Sequence, residues 1–336
     1  MKKIVVIGVG GRTGTMLAFE LRNSAEILGI GKEEELKIIK EGRLCIERED
    51  KIPEVFEGKV IKDTEFQKSI RPEIIFLATK NPVGPAVKYY YQKLKLNEKK
   101  LPALVLSQNG IVATKEAKSV LKEVLGKRAE EVRIIRISLF NPVEKKEVND
   151  KIYINYFLPI RLSFGIFSGP KETQDIVSLF KNSGFEIKEI PPEKIEDMEF
   201  SKLLTNLIGI ASASKGLSIE EGFRDKEIFK EEIGALKEYI IVVKARGGNF
   251  LNLPHYPLKL LSFLINLPVF LLLPFRKILA KLVTRDRGKK PKGNLDEIDY
   301  YNGAVIELGK KMGIETPINE EIYKKVKQIL SGRVRT

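Results

Sequence analysis

Residues Ile4–Leu21, IVVIGVGGRTGTMLAFEL, give the strongest indication of the fold in the first half of this 336-residue chain. An apolar run typical of a buried strand passes through a glycine-rich turn directly into a helical pattern. Such a turn is tight, lets the backbone approach a pyrophosphate, and offers the free N–H groups of a helix start to its charge. We therefore expect these residues to bind a dinucleotide: Gly8, Val9, Gly10, Gly11, Arg12, Thr13 and Gly14. The third glycine, Gly14, stands one position later than in the usual G-x-G-x-x-G spacing, and an ordinary strand–helix turn is the alternative interpretation.

Short apolar runs alternate with amphipathic stretches through the rest of this half. The predicted strands are Lys3–Gly8, Glu26–Ile30, Ile74–Thr79, Ala103–Ser107 and Arg133–Ser138. The predicted helices between them are Thr13–Asn23, Glu33–Glu41, Pro85–Leu94 and Lys115–Leu125. This alternation predicts an α/β fold of the Rossmann type, with a parallel sheet covered by helices on both faces.

The pattern changes near Pro191–Pro192, after which long helical patterns dominate. They cover Ile195–Lys215, Lys226–Gly247, Leu295–Gly313 and Asn319–Leu330. We therefore predict a nucleotide-binding domain over residues 1–190 and an all-helical domain over residues 191–336.

Composition narrows the chemistry. The chain has one cysteine, Cys45, and one histidine, His255, which excludes an intrachain disulfide and multi-cysteine or multi-histidine metal sites, so we expect no metal. The net charge is +14, but the cations mostly alternate with glutamates, as in Lys32–Arg43. That pattern is typical of solvated helix faces, so we expect no nucleic-acid partner. The single cysteine fits a reducing compartment, so we expect a cytoplasmic location.

The apolar region from Leu251 to Val283 raises the question of a membrane segment. Its charge-free run, Leu260–Pro274, is interrupted by Pro268 and is shorter than the roughly 20 residues that a spanning helix needs. We expect two short helices, broken at Pro268 and Pro274, in a core or a subunit interface. Attachment to a membrane surface is the less favoured alternative.

The end of the second predicted strand bears on the choice of cofactor. Gly31 and Lys32 stand where an acid would bind the ribose 2′-hydroxyl of NAD, and a cation there suits the 2′-phosphate of NADP. The sequence therefore favours NADPH with Lys32 as its anchor, against the alternative of a solvated lysine. Thr79, Lys80 and Asn109 follow the next strands at the sheet edge where such folds bind ligands.

Two helical segments carry further polar residues. Lys202 and Asn206, in SKLLTN, are four residues apart and share one face of an otherwise apolar helix. A partly desolvated lysine has a lowered pKa and can donate a proton. Glu297 and Asn302 lie about one helical turn apart in a second segment. The alternative interpretations are a surface lysine that extends from a core helix for Lys202, and ordinary polar residues near a helix N-terminus for Glu297 and Asn302.

Together these residues resemble the ketopantoate reductase family. The resemblance covers nearly the whole chain and depends on the glycine turn, Lys80, the QNG of residues 108–110, SKLLTN at 201–206 and EIDYYNGAVIELGKKMGIETPIN at 297–319. It implies an NADPH-binding domain, a helical domain and a cleft between them. The implied reaction is reduction of the keto acid ketopantoate to pantoate, in the pathway to pantothenate and coenzyme A. A homodimer formed through the C-terminal domain is also compatible with it.

The resemblance also assigns roles. Lys202 and Glu297 would be catalytic. Lys202 would protonate the developing alkoxide, and Glu297 would hydrogen-bond the substrate hydroxyl and position the lysine. Asn206, Asn109 and Asn302 would bind substrate, and Asn109 and Lys80 would line the nicotinamide side.

Two departures from the family pattern leave the substrate open. Ile210 replaces a second asparagine, and the segment before Glu297 lacks a serine. A different, more apolar keto acid and a non-catalytic NADP-binding protein therefore remain alternatives.

Overall fold

The computed structural model of the protein describes residues 1–49, 51–67, 69–94, 100–284 and 291–332. The chain forms two compact units. The first comprises Met1–Gln108 and Ala113–Ile195, and the second comprises Asn109–Val112 and Glu196–Thr336. The units therefore divide at Ile195, where the sequence placed the boundary at residue 190, and the short segment Asn109–Val112 packs with the helical unit.

The first unit contains both sheets. Its strands are β1 (Lys2–Ile7), β2 (Ala25–Gly31), β3 (Leu44–Arg48), β4 (Glu54–Val55), β5 (Lys59–Lys62), β6 (Ile74–Leu77), β7 (Ala103–Leu106), β8 (Ile134–Leu139), β9 (Glu144–Val148), β10 (Lys151–Tyr156), β11 (Arg161–Ser168) and β12 (Glu186–Glu189). Its helices are α1 (Arg12–Leu21), α2 (Glu33–Lys40), α3 (Gly84–Leu94), α4 (Ala113–Leu125) and α5 (Gln174–Asn182).

The main sheet has the order β12-β11-β8-β7-β6-β1-β2-β5. Its strands from β8 to β5 are parallel, and β11 runs antiparallel to β8. In β1, Ile4 and Val6 belong to one apolar core and Val5 and Ile7 to another, so both faces of the sheet are covered. The predicted Rossmann-type sheet is confirmed.

A second sheet, in the order β4-β3-β10-β9, was not predicted from the sequence. Strand β10 pairs parallel with β3 and antiparallel with β9. All five residues of β9, EKKEV, are exposed. A strand without a buried face has no apolar alternation, which is the signal by which strands are found.

The second unit is helical. Its helices are α6 (Ile195–Leu207), α7 (Ile210–Ala213), α8 (Ile219–Arg224), α9 (Lys226–Ala245), α10 (Leu258–Asn266), α11 (Val269–Leu272), α12 (Arg276–Thr284), α13 (Asn302–Met312) and α14 (Pro317–Leu330). A 3₁₀ segment, Leu295–Tyr300, precedes α13. The helical C-terminal half is therefore confirmed.

The apolar region forms three short helices rather than the two expected. The breaks fall at Pro268 and Pro274, as predicted, because proline lacks the N–H group that continues a helix. Among the described residues, no single helix has the length and apolar content to cross a membrane. The pair Leu258–Asn266 and Val269–Thr284 reaches that length and hydropathy only together, with a bend of 119° between its helices.

Candidate active site

The glycine turn leaves the carboxyl end of β1, beside β6 in the sheet. Gly8 has a φ of +85°, a conformation that side chains disfavour. The amides of Gly8 and Val9 both donate to the carbonyl of Ile30, at 2.8 and 3.0 Å, and the amide of Gly11 donates to the carbonyl of Gly8. The turn is therefore held by its own backbone and by the end of β2.

The late third glycine has a packing role. A Cβ atom on Gly14 would lie 2.0 Å from the carbonyl oxygen of Gly8, so only glycine lets α1 pack this closely on the turn. The buried hydroxyl of Thr15 donates to the carbonyls of Val9 and Gly11 and fixes the same geometry. Gly14 thus performs the packing function of the usual third glycine despite its shifted position.

The start of α1 has the features of an anion site. Gly11 is its N-cap and provides no side-chain cap, and the first turn contains no acid. The amides of Arg12 and Thr13 open the helix, where no preceding carbonyl can accept from them. The helix dipole adds positive potential at this end. These residues suit the pyrophosphate of a dinucleotide.

Lys145, which the sequence analysis missed, also reaches this turn. Its ammonium lies 3.4 Å from the carbonyl oxygen of Gly10, and it extends from β9 in the second sheet. No motif in EKKEV points to it, because only the pairing of β9 with β10 brings the strand to the turn. Lys145 therefore places a cation beside the expected phosphate position.

The predicted cofactor anchor Lys32 lies at the N-cap of α2 and is exposed. Its backbone amide donates to the Glu35 carboxylate at 3.2 Å. Glu35 also packs on the turn, since a Cβ on Gly10 would lie 2.4 Å from the Cβ of Glu35. Glu33 pairs with Lys62 of β5 at 2.5 Å. Two of the three acids in this helical turn thus have their own partners.

Buried polar side-chain atoms of Thr79 and Gln108 lie at the carboxyl ends of β6 and β7. Gln108 donates to the carbonyls of Leu77 and Thr79, at 2.8 and 3.0 Å. The Oε1 atom of Gln108 and the Oγ1 atom of Thr79 are buried and have no hydrogen-bond partner within the described part of the chain. Unsatisfied buried polar atoms are costly, and both suit a ligand with polar groups, such as a nicotinamide coenzyme. Lys80 follows them and is exposed.

Arg136 supports this edge from below and was also missed. It is 1% exposed and donates to the carbonyls of Leu106, Ile137 and Gln108. A buried guanidinium in an otherwise apolar strand gives no periodic signal, so only the structure shows it. Its hydrogen bonds hold the chain where β7 ends.

In the helical unit, Lys202 and Asn206 stand out by their exposure. From Ser201 to Ser214 they are the two residues that are not buried, and they lie one turn apart on α6. The remaining residues of this stretch pack in the core. An ammonium and an amide are therefore presented together on one face of a rigid helix, as the spacing predicted.

Glu297 is the centre of a polar network in the same unit. Its Oε2 atom accepts hydrogen bonds from Asn109 at 3.0 Å, Asn294 at 3.1 Å and the Tyr301 hydroxyl at 2.9 Å. Asn206 in turn donates to Oδ1 of Asn109, at 3.2 Å. The network joins three of the predicted residues, Asn109, Asn206 and Glu297, across distant parts of the sequence.

Asn294 and Tyr301 are new members of this network. The signal for Asn294 was its capping position, since its side chain also accepts from the amide of Asp296. Gly110 has a φ of +95°, and a Cβ there would lie 3.2 Å from the Tyr300 carbonyl oxygen. The Asn-Gly turn is therefore needed to bring Asn109 to this position.

Asn302, expected at the substrate, lies in the core instead. It is 1% exposed and donates to Asn319 at 2.9 Å. The expectation assumed a regular helix from Leu295, but the backbone departs from helical angles at Glu297 and again at Tyr301. This change of direction turns Asn302 inward, and we no longer place it at the substrate.

Ile210, which stands where the family pattern has a second asparagine, is also buried. Helix α6 ends at Leu207, and Gly209, with a φ of +94°, breaks the helix before Ile210. Ile210 is 1% exposed and belongs to the apolar core of the unit, so it does not continue the face of Lys202 and Asn206. The segment that lacks the family's serine includes residues 285–290, which lie outside the described residues.

The helix break is anchored by a buried acid. Glu232 accepts hydrogen bonds from the amides of Gly209 and Ser212 and from the Ser212 hydroxyl. Burial raises the pKa of Glu232 to about 7, although these hydrogen bonds oppose the rise. The end of α6 is thus tied to α9 through a carboxyl group that titrates near neutral pH.

Comparisons with known proteins agree with this architecture. Residues 194–330 match the family model described as ketopantoate reductase PanE/ApbA C terminal. A PanE/ApbA family ketopantoate reductase from Ralstonia eutropha JMP134 is similar in structure, with a TM-score of 0.73 and 15% identity, over 97% of this chain and 98% of that chain. No curated protein sequence matches the chain.

Two other solved structures extend the comparison. D-mandelate dehydrogenase in complex with NADH gives a TM-score of 0.71 at 17% identity, over 98% of this chain and 99% of that chain. A dimeric ketopantoate reductase from Staphylococcus aureus gives 0.65 at 16% identity, over 99% and 100%. At these identities the likeness establishes the fold.

Proposed function

We propose that the protein is a nicotinamide-dependent oxidoreductase of the ketopantoate reductase family, whose C-terminal family model matches residues 194–330, and that it reduces a 2-keto acid to a 2-hydroxy acid. The substrate we propose is ketopantoate, reduced to pantoate on the route to coenzyme A. One observation carries the proposal. On the buried stretch Ser201–Ser214, the chain leaves Lys202 and Asn206 incompletely buried, and Asn206 connects through Asn109 to Glu297.

The bound reduced coenzyme would supply a hydride to the keto carbon. The protein must then stabilise negative charge on the keto oxygen and deliver a proton to it. Lys202 is the proposed acid, because an ammonium both attracts the developing alkoxide and carries a transferable proton. Such an interaction strengthens as charge develops, and it therefore lowers the barrier rather than only binding the substrate.

The polar network would position the substrate. Three donors hold the Oε2 atom of Glu297, so this carboxylate has a fixed orientation. A fixed carboxylate can accept a hydrogen bond from a hydroxyl group of the substrate, and the amide of Asn206 can bind a second polar group. Preorganisation of this kind reduces the entropy lost when substrate binds.

For the coenzyme we propose NADPH, held at its phosphates by the turn from Gly8 to Gly14 and at its 2′-phosphate by Lys32. The glycine turn, the uncapped start of α1 and the partnerless Thr79 and Gln108 atoms support a nicotinamide coenzyme. The absence of an acid at Gly31 and Lys32 favours the phosphorylated form. Replacing Lys32 with alanine should weaken NADPH binding about tenfold and leave NADH binding within about twofold. Equal losses for both coenzymes would refute this role.

The central test uses Lys202. The Lys202→Ala variant should lower kcat with ketopantoate by about 10²- to 10⁴-fold while the Kd for NADPH stays within about twofold. Lys310→Ala, an exposed lysine on α13, is the matched control and should retain full activity. Wild-type protein that binds NADPH but turns over no 2-keto acid would instead establish the non-catalytic alternative.

A second candidate substrate class is a more apolar, aryl-substituted 2-keto acid. It is favoured by the similarity to D-mandelate dehydrogenase, whose structure was solved with NADH and anilino(oxo)acetate. A panel that includes ketopantoate, branched 2-keto acids and phenylglyoxylate separates the two classes. The class with the higher kcat/KM is the one that the site selects.

We also propose that the protein acts in the cytoplasm and forms a homodimer through its helical unit. The dimeric Staphylococcus aureus enzyme of the same fold supports the assembly. Sedimentation equilibrium of the purified chain tests it, and a mass of one chain at micromolar concentration would exclude the dimer.

A further inference from the structure

The region that comprises α10, α11, α12 and the 3₁₀ turn Leu273–Phe275 between the last two contains a high concentration of exposed apolar side chains. Of the fourteen large hydrophobic residues that are exposed in the described part of the chain, seven lie between residues 260 and 282. They form what we call the outer apolar face: Leu260, Phe263, Phe270, Leu271, Phe275, Ile278 and Leu282. Exposed apolar clusters of this kind mark interaction sites.

The inward sides of these helices show why the others face outward. Leu261, Leu264 and Ile265 of α10, Leu272 of α11, and Leu279 and Val283 of α12 line one small cavity with residues of α8 and α9. The three helices therefore form one layer over α8 and α9, and the outer apolar face is the opposite side of that layer. Phe275, in the 3₁₀ segment that leads into α12, and Ile278 and Leu282 of α12 follow a three-and-four spacing, which places them along one side of the helix.

The charge of the region is of one sign. The sequence contains no Asp or Glu between Glu238 and Asp286. The exposed lysines Lys259, Lys277 and Lys281 lie on the same helices as the outer apolar face, and Lys277 and Lys281 are one turn apart beside the α12 stripe. A partner for this surface must therefore accept aromatic and aliphatic side chains and provide negative charge.

We propose that the outer apolar face docks on the surface of an anionic phospholipid bilayer. Aromatic and aliphatic side chains would enter the boundary between headgroups and acyl chains, and the lysines would contact lipid phosphates, which is the pattern of helices that lie in the membrane interface. The helices have the apolar content of a spanning segment, but the 119° bend suits a pair that lies along the interface. A second copy of this chain would bring the same lysines together across a twofold axis, with no acid on these helices to pair them.

The test is flotation of the full-length protein with vesicles. Vesicles of phosphatidylcholine with about 30% phosphatidylglycerol should carry the protein to the top of a density gradient, vesicles of phosphatidylcholine alone should not, and about 1 M salt should release it. The combined variant F263S/F270S/F275S/I278S should lose at least tenfold in the bound-to-free ratio, as should K277E/K281E. Ile52→Ser combined with Leu330→Ser removes equally exposed apolar groups elsewhere and should float like the wild type.

Two results would overturn the proposal. One is a failure of the wild type to float with the anionic vesicles, or flotation that the variants leave unchanged. The other is a wild-type dimer in sedimentation equilibrium that the four-serine variant converts to a monomer, which would show that a second copy covers the face. Circular dichroism and reductase turnover of the variants verify that they are folded, and both should equal the wild type because the replaced side chains are exposed.

Discussion

Replacing Gly14 with alanine tests the packing on which the coenzyme turn depends. The added Cβ would lie 2.0 Å from the Gly8 carbonyl oxygen, so α1 would have to move from the turn by about 1 Å or more. Overpacking of this kind costs about 3 kcal/mol, and the better helix propensity of alanine returns about 1 kcal/mol. We therefore expect a loss of about 2 kcal/mol in the stability of the first unit.

The matched control is Gly11→Ala, in the same turn. Its Cβ would lie 3.3 Å from the same oxygen, and the φ of Gly11 is −84°, which alanine adopts without strain. Loss of glycine at an N-cap costs about 0.5 kcal/mol. The two variants thus make the same chemical change and differ in the space available.

The assays are urea unfolding followed by far-ultraviolet circular dichroism, since the chain has no tryptophan, and titration of NADPH by its own fluorescence. The unfolding transition of the first unit is the one whose urea midpoint should rise when NADPH is added, and Gly14→Ala should lower that midpoint. The variant should also weaken NADPH binding about tenfold or more, because the start of α1 moves away from the phosphates. Gly11→Ala should do far less in both assays. A Gly14→Ala protein with wild-type unfolding and NADPH affinity would refute the packing argument.

Lys145, Tyr301 and Glu232 can each be tested by a single substitution with a matched control. Lys145→Ala should weaken NADPH binding about fivefold and make that binding less dependent on salt concentration. Lys151 is an exposed lysine on β10, and its replacement with alanine should change neither quantity. Identical NADPH titrations for the two variants would show that Lys145 does not contact the phosphates. Tyr301→Phe should lower kcat/KM about tenfold, because it removes one of the three hydrogen bonds described for Glu297. Tyr323→Phe removes a hydroxyl that bonds to Asp299 instead and should leave kcat/KM unchanged. Unaltered kinetics of Tyr301→Phe would show that its hydroxyl does not support the site. Burial raises the pKa of Glu232 from its ordinary value of 4.5 to about 7, so the folded state holds the proton more tightly than the unfolded state. The free energy of unfolding should therefore fall by up to about 3 kcal/mol as pH rises from 4.5 to 7, and Glu232→Gln should lack this fall. Urea unfolding at the two pH values measures the fall, and an equal fall in the variant would contradict the assignment.

The local signals in the sequence located much of the candidate site. The apolar run before Gly8 and the helical pattern after it are short-range patterns, and both were found where the structure has β1 and α1. The four-residue spacing of Lys202 and Asn206 likewise depends only on helix geometry, which any helix shares. The change from alternating strand and helix patterns to helical patterns near residue 190 was also visible, because the residues after it lack strand periodicity.

Other parts of the site depend on contacts between distant residues. Lys145 reaches Gly10 because β9 pairs with β10, and Tyr301 and Asn294 meet Asn109 because a 3₁₀ segment and a glycine turn bring them together. Asn302 was expected at the substrate but lies in the core, because the backbone departs from helical angles at Tyr301, and Ile210 is buried after the helix break at Gly209.

The strands and helices of the main sheet, the helical C-terminal half and the glycine turn could be predicted from the amino-acid sequence alone, because strand, helix and turn preferences act over a few neighbouring residues. Which side chains contact one another became visible in three dimensions, because the hydrogen bonds of Glu297 and the burial of Glu232 depend on residues far apart in the chain. The folded structure also exposes seven apolar side chains between residues 260 and 282, whereas their apolar sequence was compatible with either a core or a subunit interface.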